Sequence, residues 1–295
     1  MIYQSPLAYL LAMEGLALLR AFAGDHDRDF CEARIAEVRR LLDTPALSGE
    51  GVTAPRVDTV DGYHIWSTNY DQQIDEMFQH EVSRVHEILG ALPIGTALDA
   101  ACGTGRHAAQ LAAKGHRVIG VDSSPDMLGL ARKRVPQADF RQGDLHRLPL
   151  PDDHVDIVVC ALALTHLPDL EPPMTEFARV LRPGGHLVIL DMHHELVALG
   201  SVPRVRSASG EPGILPGYRH RAGDYLNAAL PLGLQVRGCE EARPAGGAEP
   251  KGMAEDIVTG PWDAWPWSLL EIVPEAAGAA WAGMPGTVIW HFQLT

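Results

Sequence analysis

Short apolar segments alternate with amphipathic segments between residues 72 and 192, and this alternation limits the folds open to the chain more than any other feature. The apolar segments predict strands at 96–101, 117–122, 155–163 and 185–191, and a short strand ending at 144. The amphipathic segments predict helices at 72–90, 106–114, 125–135 and 172–181. Strands that alternate with helices form βαβ units around a parallel sheet covered on both faces. We therefore predict an α/β fold with a Rossmann-like, doubly wound sheet, mostly parallel with an antiparallel last strand at 287–294, plus an N-terminal helical extension.

The N-terminal extension is predicted to be a helical hairpin at 5–43, in which Ser5 caps the first helix and Pro6 occupies its first turn. The first helix is apolar almost all round, so something must cover it. We hypothesise that this helix covers the functional site or forms a homodimer contact. Residues 44–60 are rich in Pro, Gly, Ser and Thr, which is typical of a linker. The expected domains are 1–60, a hairpin and linker, and 61–295, which contains a lid-like insertion near 195–222.

Charge and cysteine content argue against several classes of partner. The 295 residues carry a formal net charge of −14, without the basic stripe that nucleic acids or anionic membranes require. Cys31, Cys102, Cys160 and Cys239 lie far apart, which predicts neither a metal site nor a disulfide framework and suits a reducing cytoplasm. The apolar N-terminal stretch has no basic residue before it and is shorter than the about 20 residues that span a bilayer. We expect a cytoplasmic protein without a nucleic-acid or membrane partner.

A glycine-containing loop follows the first strand of the alternation and opens a helix, in the segment Leu98-Asp-Ala-Ala-Cys-Gly-Thr-Gly-Arg-His107. Gly103 and Gly105 allow the backbone to turn tightly and to approach a ligand without a Cβ atom. A doubly wound sheet binds nucleotides at such loops, at the carboxyl ends of its strands. The dinucleotide fingerprint G-x-G-x-x-G needs a third glycine where this chain has Ala108, which argues against a nicotinamide-dependent oxidoreductase.

Three acidic residues, Asp99, Asp122 and Asp144, are expected along the same edge of the sheet. Asp122 follows the loop by about 20 residues, the separation that a βαβ unit imposes, and can accept two ribose hydroxyls. Such acceptors suit a nucleoside with an amino group, whereas they repel a pyrophosphate. The pattern therefore favours S-adenosylmethionine (SAM) over a nicotinamide dinucleotide.

Five segments in order carry a resemblance to a known family. They are Asp99–Gly105, Gly120–Leu128, Gly143–Asp144, Val155–Val159 with Thr165–Asp169, and Arg179–Leu187. Between about 95 and 192 the chain resembles the class I SAM-dependent methyltransferases of the ubiquinone and menaquinone biosynthesis type, which include many natural-product enzymes. Ala101 departs from the pattern, since many members have glycine there.

The resemblance implies a SAM site, with S-adenosylhomocysteine as the product. Its residues would be Tyr70, Asp99, Ala101, Gly103, Gly105, Asp122, Ser123, Met127, Asp144, Leu145 and Ala161. By this likeness, the loop from Ala101 to Gly105 holds the methionine part of SAM and Asp122 binds the ribose.

The remaining roles implied by the resemblance concern the adenine and the closure of the site. Met127 lies against the adenine ring, Asp144 binds its amino group, and Leu145 offers a backbone amide. Tyr70 resembles a family position that closes over SAM.

Methyl transfer is an in-line displacement at a sulfonium carbon, so the protein mainly aligns two reactants. A base matters only when the acceptor must lose a proton, and histidine suits that role near neutral pH. Candidate bases or substrate contacts are His166, His193, His194 and His220. With 14 histidines in the chain, most are expected to have no catalytic role. Candidates for an aromatic pocket wall are Tyr63, His64 and Trp66, or Trp262, Trp265 and Trp267.

Missing signatures narrow the acceptor. Ala161-Leu-Ala-Leu stands where adenine- and amide-specific enzymes have Asn/Asp-Pro-Pro-Tyr, and Cys160 lacks the preceding proline of cytosine-C5 enzymes. No carboxylate set follows that strand to suggest a magnesium site. We predict transfer of a methyl group to an O, N or C atom of a small organic acceptor such as a secondary metabolite. The alternatives are a SAM-binding cyclase or non-methylating scaffold on the same fold, and a nicotinamide oxidoreductase.

Overall fold

The computed structural model describes residues 1–49, 51–67, 70–207, 209–242 and 257–295. The contacts of these residues group the chain into two compact units. The first unit comprises Met1–Val57, Gly200–Leu215 and the described part of Pro244–Met284. The second unit comprises Asp58–Leu199, the described part of Pro216–Arg243, and Pro285–Thr295, and it contains the predicted alternation.

The helices and strands have the following bounds. The helices are α1 (Pro6–Phe22), α2 (Arg28–Leu42), α3 (Thr59–Trp66), α4 (Tyr70–Gly90), α5 (Arg106–Ala113), α6 (Pro125–Arg134), α7 (Glu171–Val180), α8 (His194–Ala198), α9 (Ala222–Ala229), α10 (Trp267–Leu270) and α11 (Pro274–Trp281). The strands are β1 (Ile2–Gln4), β2 (Val52–Ala54), β3 (Thr96–Ala100), β4 (Arg117–Asp122), β5 (Asp139–Gln142), β6 (Val155–Ala161), β7 (Leu181–Met192), β8 (Arg204–Arg206), β9 (Pro212–Ile214), β10 (Leu234–Ala242) and β11 (Thr287–Leu294).

In the described part of the chain, the second unit is built on a seven-stranded sheet with the order β10-β11-β7-β6-β3-β4-β5. β3 pairs in parallel with β4 on one side and with β6 on the other, and β5 and β7 extend the parallel sheet. β11 is antiparallel to both β7 and β10. The predicted fold class, a mostly parallel Rossmann-like sheet with an antiparallel last strand, is confirmed.

The strand order reverses beside β3, because the chain continues to β4 on one side of it and returns to β6 on the other. At such a switch point the loops leave the sheet in opposite directions and open a crevice between them. The register places Asp99 of β3 beside Gly120 of β4 and Val159 of β6. The carboxyl ends of these three strands therefore meet at one edge of the sheet.

Successive residues of the central strands face two separate apolar layers, which explains why these strands are apolar throughout. In β3, Leu98 belongs to the layer that contains Phe177 of α7, whereas Ala97 belongs to the layer that contains Leu111 of α5. All four side chains are almost completely buried. Burial of a leucine or phenylalanine side chain contributes about 1.5–3 kcal/mol relative to exposure. The sheet is thus held firmly on both faces beneath its carboxyl edge.

The first unit contains the predicted N-terminal hairpin. The Ser5 side chain accepts a hydrogen bond from the Ala8 amide at 3.3 Å, and Pro6 begins α1. Helices α2 and α11 pack against α1, and a buried ion pair joins Arg34 to Glu14 at 3.3 Å. The role of this hairpin in a homodimer stays a prediction. No helix in the described ranges combines the length and the apolar character needed to cross a bilayer.

The structure differs from the predicted linker at 44–60. Strand β2 pairs antiparallel with β1, and α3 begins at Thr59 behind an Asp58 cap that accepts from the Val60 amide at 2.8 Å. Composition alone does not reveal this pairing, because the partner strand lies far away along the chain. In the lid-like insertion predicted near 195–222, α8 is followed by a β8–β9 hairpin that belongs to the first unit. The division into domains 1–60 and 61–295 stays a prediction.

His107 on α5 makes the stability of the second unit depend on pH. Its side chain is buried, and its Nδ1 lies 3.2 Å from Nε2 of His86. Burial, with repulsion from His86 and Arg106, lowers the pKa of His107 from 6.5 to about 3. Below pH 6.5 the unfolded chain binds a proton that the folded chain does not bind, so stability is lost as the pH falls.

We expect His107 alone to lower the free energy of unfolding by about 2 kcal/mol between pH 7 and pH 5. The variant His107→Asn keeps a hydrogen-bonding partner for His86 but has no group that titrates in this range, so it should lose this part of the pH dependence. Urea unfolding followed by circular dichroism at several pH values measures the difference. Equal pH dependence in both proteins would contradict the assignment.

Candidate active site

A cavity opens at the carboxyl ends of β3, β4 and β6, within the second unit. The predicted cofactor residues that line it are Tyr70, Ala101, Gly103, Asp122, Ser123, Met127, Asp144, Leu145 and Ala161. The predicted base His166 lines the same cavity, together with Thr59 and Tyr63 of α3. The structure therefore brings residues from five separate stretches of the chain to one place.

The loop between β3 and α5 forms one wall of the cavity in a strained backbone conformation. Gly103 has φ 51° and Gly105 has φ 80°, values that glycine adopts readily. Ala101 has φ 56° although it carries a Cβ atom, and this left-handed conformation costs roughly 1–2 kcal/mol. Leu162, after β6, has φ 55° and lines the same cavity. Strained residues of this kind cluster at functional sites.

Two of the predicted cofactor residues, Asp99 and Gly105, are not among the residues that line the cavity. Asp99 is buried beneath the loop and accepts a hydrogen bond from the Ala108 amide at 2.8 Å. Burial raises the pKa of Asp99 to about 7. A Cβ atom at Gly105 would lie 3.1 Å from that of Ala131, so this glycine lets α5 approach α6 closely. Both residues shape the loop from below.

Asp122, at the end of β4, ties the loop to the neighbouring strand. One carboxylate oxygen accepts from the Gly103 amide at 2.7 Å, and the other accepts from the Ser124 amide at 2.8 Å. Burial raises the pKa of Asp122, and the backbone hydrogen bonds oppose this effect. Each carboxylate oxygen can accept a further hydrogen bond, so the group can hold the loop and still face a ligand in the cavity.

The opposite end of the cavity is formed by the start of α6 and the turn after β5. The Ser124 hydroxyl caps α6 by accepting from the Met127 amide at 3.3 Å, which orients the buried Met127 side chain. Asp144 accepts from the His146 amide at 2.7 Å and also contacts the His146 ring. Its side chain is 63% exposed, so it can accept a hydrogen bond from a ligand without a large desolvation cost.

Aromatic side chains from α3 and α4 meet over the glycine loop. Tyr63 lies at the centre, with ring centroids 5.6 Å from Trp66, 5.7 Å from Tyr70 and 5.6 Å from His166, each close to edge-on. The outer side of α3 is held by His64, whose Nδ1 lies 2.8 Å from the Asp126 carboxylate. Of the predicted wall residues Tyr63, His64 and Trp66, Tyr63 is among the residues that line the cavity, whereas His64 and Trp66 are not.

The hydrogen bonds of His166 fix its tautomer. Its Nδ1 lies 2.7 Å from the Pro216 carbonyl oxygen, which only accepts, so Nδ1 carries a proton. Burial lowers the pKa of His166, although the bond to Pro216 opposes this, so the ring is neutral and Nε2 carries a lone pair. The Tyr63 hydroxyl, 2.9 Å away, therefore donates to Nε2. Burial, with Tyr70, Asp122 and Asp191 nearby, raises the pKa of Tyr63, so the phenol keeps its proton at rest.

The turn that carries His166 is held from two sides. The segment after Pro216 crosses it, with the Tyr218 amide donating to the Thr165 carbonyl at 2.7 Å and His220 Nε2 donating to the Leu167 carbonyl at 2.9 Å. Behind the turn, the buried Asp191 carboxylate accepts from the Tyr225 hydroxyl at 2.9 Å and from the backbone of Thr165. Burial raises the pKa of Asp191 to about 7. Sequence reasoning missed Asp191, because its partners are distant in the chain.

A second group that sequence reasoning missed fastens the start of α4 to the glycine loop. Asp71 accepts a hydrogen bond from the Thr104 hydroxyl and pairs with Arg134, while Arg134 also donates to the Thr104 carbonyl at 3.1 Å. Burial raises the pKa of Asp71, but hydrogen bonds from Thr104 and Arg134 outweigh it and the net shift is downward. Asp71 is thus ionised, and it keeps the adjacent Tyr70 over the loop.

The other histidine candidates have structural partners outside the cavity lining. His193 caps α8, and its Nε2 lies 3.4 Å from Glu241. The His194 ring lies against that of His193, tilted by 43° with ring centroids 4.3 Å apart, and His220 donates to backbone carbonyls as described above. Their catalytic roles stay predictions that the geometry does not favour.

Trp262 and Trp265 are buried inside the first unit, where their ring nitrogens donate to Gln4 and to the Thr259 carbonyl. Trp267 is partly exposed and its ring contacts that of Trp281 edge-on, in the same unit. Among the described residues, no three histidine, cysteine or carboxylate side chains are grouped so as to hold a metal ion.

Residues 98–189 match the family described as methyltransferase domain. The matched segment contains the glycine loop, Asp122, Asp144 and His166. It is a methyltransferase domain of the SAM-dependent family. The resemblance to SAM-dependent methyltransferases, which five segments of the sequence carry, is confirmed.

The methyltransferase domain is similar to enzymes with different named acceptors. The malonyl-[acyl-carrier protein] O-methyltransferase of Serratia marcescens is 35% identical over 140 residues, which cover 48% of this chain and 49% of that protein. The demethylmenaquinone methyltransferase of Chlorobaculum parvum is 40% identical over 95 residues, which cover 32% of this chain and 39% of that protein. The chain thus spans about half, or less, of the length of these relatives.

A solved structure of a putative SAM-dependent methyltransferase from Listeria monocytogenes has the same fold. Its TM-score is 0.52 with 18% sequence identity, and the match covers 73% of this chain and 99% of that one. The likeness covers a larger share of this chain than the matched family segment, and it supports the fold.

Replacing the strained alanine of the loop tests the loop geometry. We expect Ala101→Gly to raise the free energy of unfolding by about 0.5–1 kcal/mol, because relief of the left-handed strain exceeds the entropy cost of glycine. Its neighbour Ala100 lies in the extended strand β3, so Ala100→Gly should lower it by about 1 kcal/mol or more. Urea unfolding of the two variants provides the measurement. A loss of equal size at both positions would contradict the loop conformation described here.

Proposed function

We propose that this protein transfers a methyl group from SAM to a small-molecule acceptor. The observation that carries the proposal is one cavity lined by the glycine loop, Asp122 and Asp144 together with Tyr63 and His166. Ligands of doubly wound sheets bind at this switch point. The matched methyltransferase domain supports the same cofactor.

The residues that line the cavity fit a nucleoside with a charged sulfur group. The Asp122 carboxylate has lone pairs left for ribose hydroxyls, and Met127 offers an apolar surface for the base. Asp144 is an exposed acceptor at the far end of the cavity, which suits an amino group. Gly103 leaves the loop without a Cβ atom at the place where the methionine part would lie.

SAM supplies an activated methyl group, so the protein's main task is alignment. Proximity and orientation lower barriers by about 7–11 kcal/mol in well-aligned systems. The Asp71–Arg134 ion pair and the hydrogen bond from the Gly103 amide to Asp122 hold the glycine loop at two places. The Pro216 carbonyl, which accepts a hydrogen bond from Nδ1, holds the His166 ring. The acceptor side is therefore preorganised by backbone and side-chain hydrogen bonds within one unit.

Membership of the family does not identify the acceptor of this protein. Relatives of this domain are named for malonyl-acyl-carrier protein and for demethylmenaquinone. These acceptors differ in size and charge. The cavity residues Thr59 and Tyr63 lie outside the matched segment 98–189, which contains most of the residues proposed for the cofactor.

Binding of S-adenosylhomocysteine measured by calorimetry tests the proposal. We expect micromolar affinity for the wild type and a loss of at least about tenfold, or roughly 1.4 kcal/mol, in Asp122→Ala, because the ribose loses its acceptor. Asp139→Ala is the matched control, since Asp139 is an exposed residue at the start of β5 that pairs with Arg141. Its affinity should equal that of the wild type.

Two results would count against the proposal. One is the absence of binding to a folded wild type. The other is an equal loss of affinity in Asp122→Ala and Asp139→Ala, which would show that the effect does not come from the cavity. Circular dichroism melting curves of all three proteins separate a binding defect from a folding defect.

A further inference from the structure

We infer that the methyl acceptor is an uncharged molecule that loses a proton from oxygen or nitrogen, and that Tyr63 and His166 together take this proton. This inference rests on the proposed methyl transfer and names the class of acceptor for it. Three features carry it: the direction of the Tyr63–His166 hydrogen bond, the charges around the cavity, and the rigid support of both residues.

The Tyr63–His166 hydrogen bond leaves the lone pairs of the Tyr63 oxygen free. The Tyr63 hydroxyl donates to Nε2 of His166 across 2.9 Å, and Nδ1 of His166 donates to the Pro216 carbonyl. The free lone pairs of the Tyr63 oxygen can then accept a proton from a third group in the cavity. A hydroxyl or amino group has such a proton, whereas a carboxylate at neutral pH has none.

Tyr63 and His166 together take up the proton that the acceptor loses. An oxygen or nitrogen lone pair of the acceptor forms the bond to the methyl carbon, while the carbon–sulfur bond breaks and its electron pair stays on sulfur. The acceptor proton passes to the Tyr63 oxygen, and the Tyr63 proton passes to His166 Nε2. The positive charge of the sulfonium thus ends on the His166 ring, whose Nδ1 proton remains bonded to Pro216.

The charged groups of the cavity favour an acceptor without negative charge. In the described part of the chain, the cavity lining contains Asp122 and Asp144 but no lysine or arginine. A desolvated anionic acceptor without a cationic side chain to pair with costs free energy. An uncharged hydroxyl or amine needs no such partner.

Both residues of the relay are held in place by groups that do no chemistry themselves. Trp66 and Tyr70 pack edge-on around the Tyr63 ring. Asp191 holds the turn beneath His166 through the Thr165 backbone. Such support matters because proton transfer requires donor and acceptor within hydrogen-bonding distance at the moment of reaction.

The first test determines the tautomer of His166 and needs no acceptor. Nitrogen-15 NMR of histidine-labelled protein in complex with S-adenosylhomocysteine should show a neutral ring with the proton on Nδ1, and the His166→Gln variant assigns the signal. Tyr63→Phe should shift the Nε2 signal, because it loses its donor. A proton on Nε2, or a charged ring at pH 7, would overturn the inference.

The second test identifies the class of product. The protein is given tritium-methyl SAM and an equal mixture of simple phenols, alcohols, arylamines and carboxylic acids. Mild alkali releases labelled methanol from methyl esters but leaves ethers and N-methyl amines intact. We expect alkali-stable label, and mainly alkali-labile label would overturn the inference while leaving the methyltransferase function standing.

Variants connect this product to the relay. We expect Tyr63→Phe to lower the rate of the alkali-stable transfer by about 10²-fold, the usual size of general base catalysis, with affinity for S-adenosylhomocysteine changed less than about threefold. Tyr3→Phe is the matched control, because Tyr3 lies in the first unit and its hydroxyl accepts from the Gly51 amide. An unchanged rate in Tyr63→Phe would overturn the inference. No labelled product of either class, from protein that binds S-adenosylhomocysteine, would instead contradict the proposed function, and the NMR measurement would still decide the relay.

Discussion

The parallel pairing of β3 with β4 and β6 is the constraint on which the rest of the site depends. Because both neighbours run in the same direction as β3, three carboxyl ends meet at one edge. Two buried apolar layers hold this sheet on its two faces. The loops that follow these strands therefore start from fixed positions. The hydrogen bond from the Gly103 amide to Asp122 then links two adjacent strand ends, and the cavity forms above that link.

Two of the groups proposed for the acceptor side, Tyr63 and the Pro216 carbonyl, lie outside the matched family segment. Tyr63 precedes the matched domain in the sequence, and Pro216 follows it. His166 lies between them in sequence and is bonded to both. The residues proposed for the cofactor, apart from Tyr70, all lie within the matched segment.

Local signals predicted well the elements that depend on local forces. Strands 117–122 and 287–294 have the predicted bounds, since each contains a short apolar stretch, and Ser5 caps α1 as its position implies. The β1–β2 pairing was not predicted, because its two strands lie far apart along the chain. Helix α3 and the β8–β9 hairpin were not predicted either. In the site, the loop and Asp122 follow from sequence spacing. The partnership of Tyr63 with His166 spans 103 residues and has no sequence signal, and the same holds for Asp191 with Tyr225.

We propose that one edge of the sheet holds the cofactor with its reactive sulfur turned toward Tyr63 and His166. A crystal structure of the protein with S-adenosylhomocysteine would show this placement. We expect ribose hydroxyls hydrogen-bonded to the Asp122 carboxylate, the base beside Met127, and the sulfur on the side of the cavity that Tyr63 lines. A complex in which the ligand binds elsewhere, or binds with its sulfur turned away from Tyr63 and His166, would contradict it.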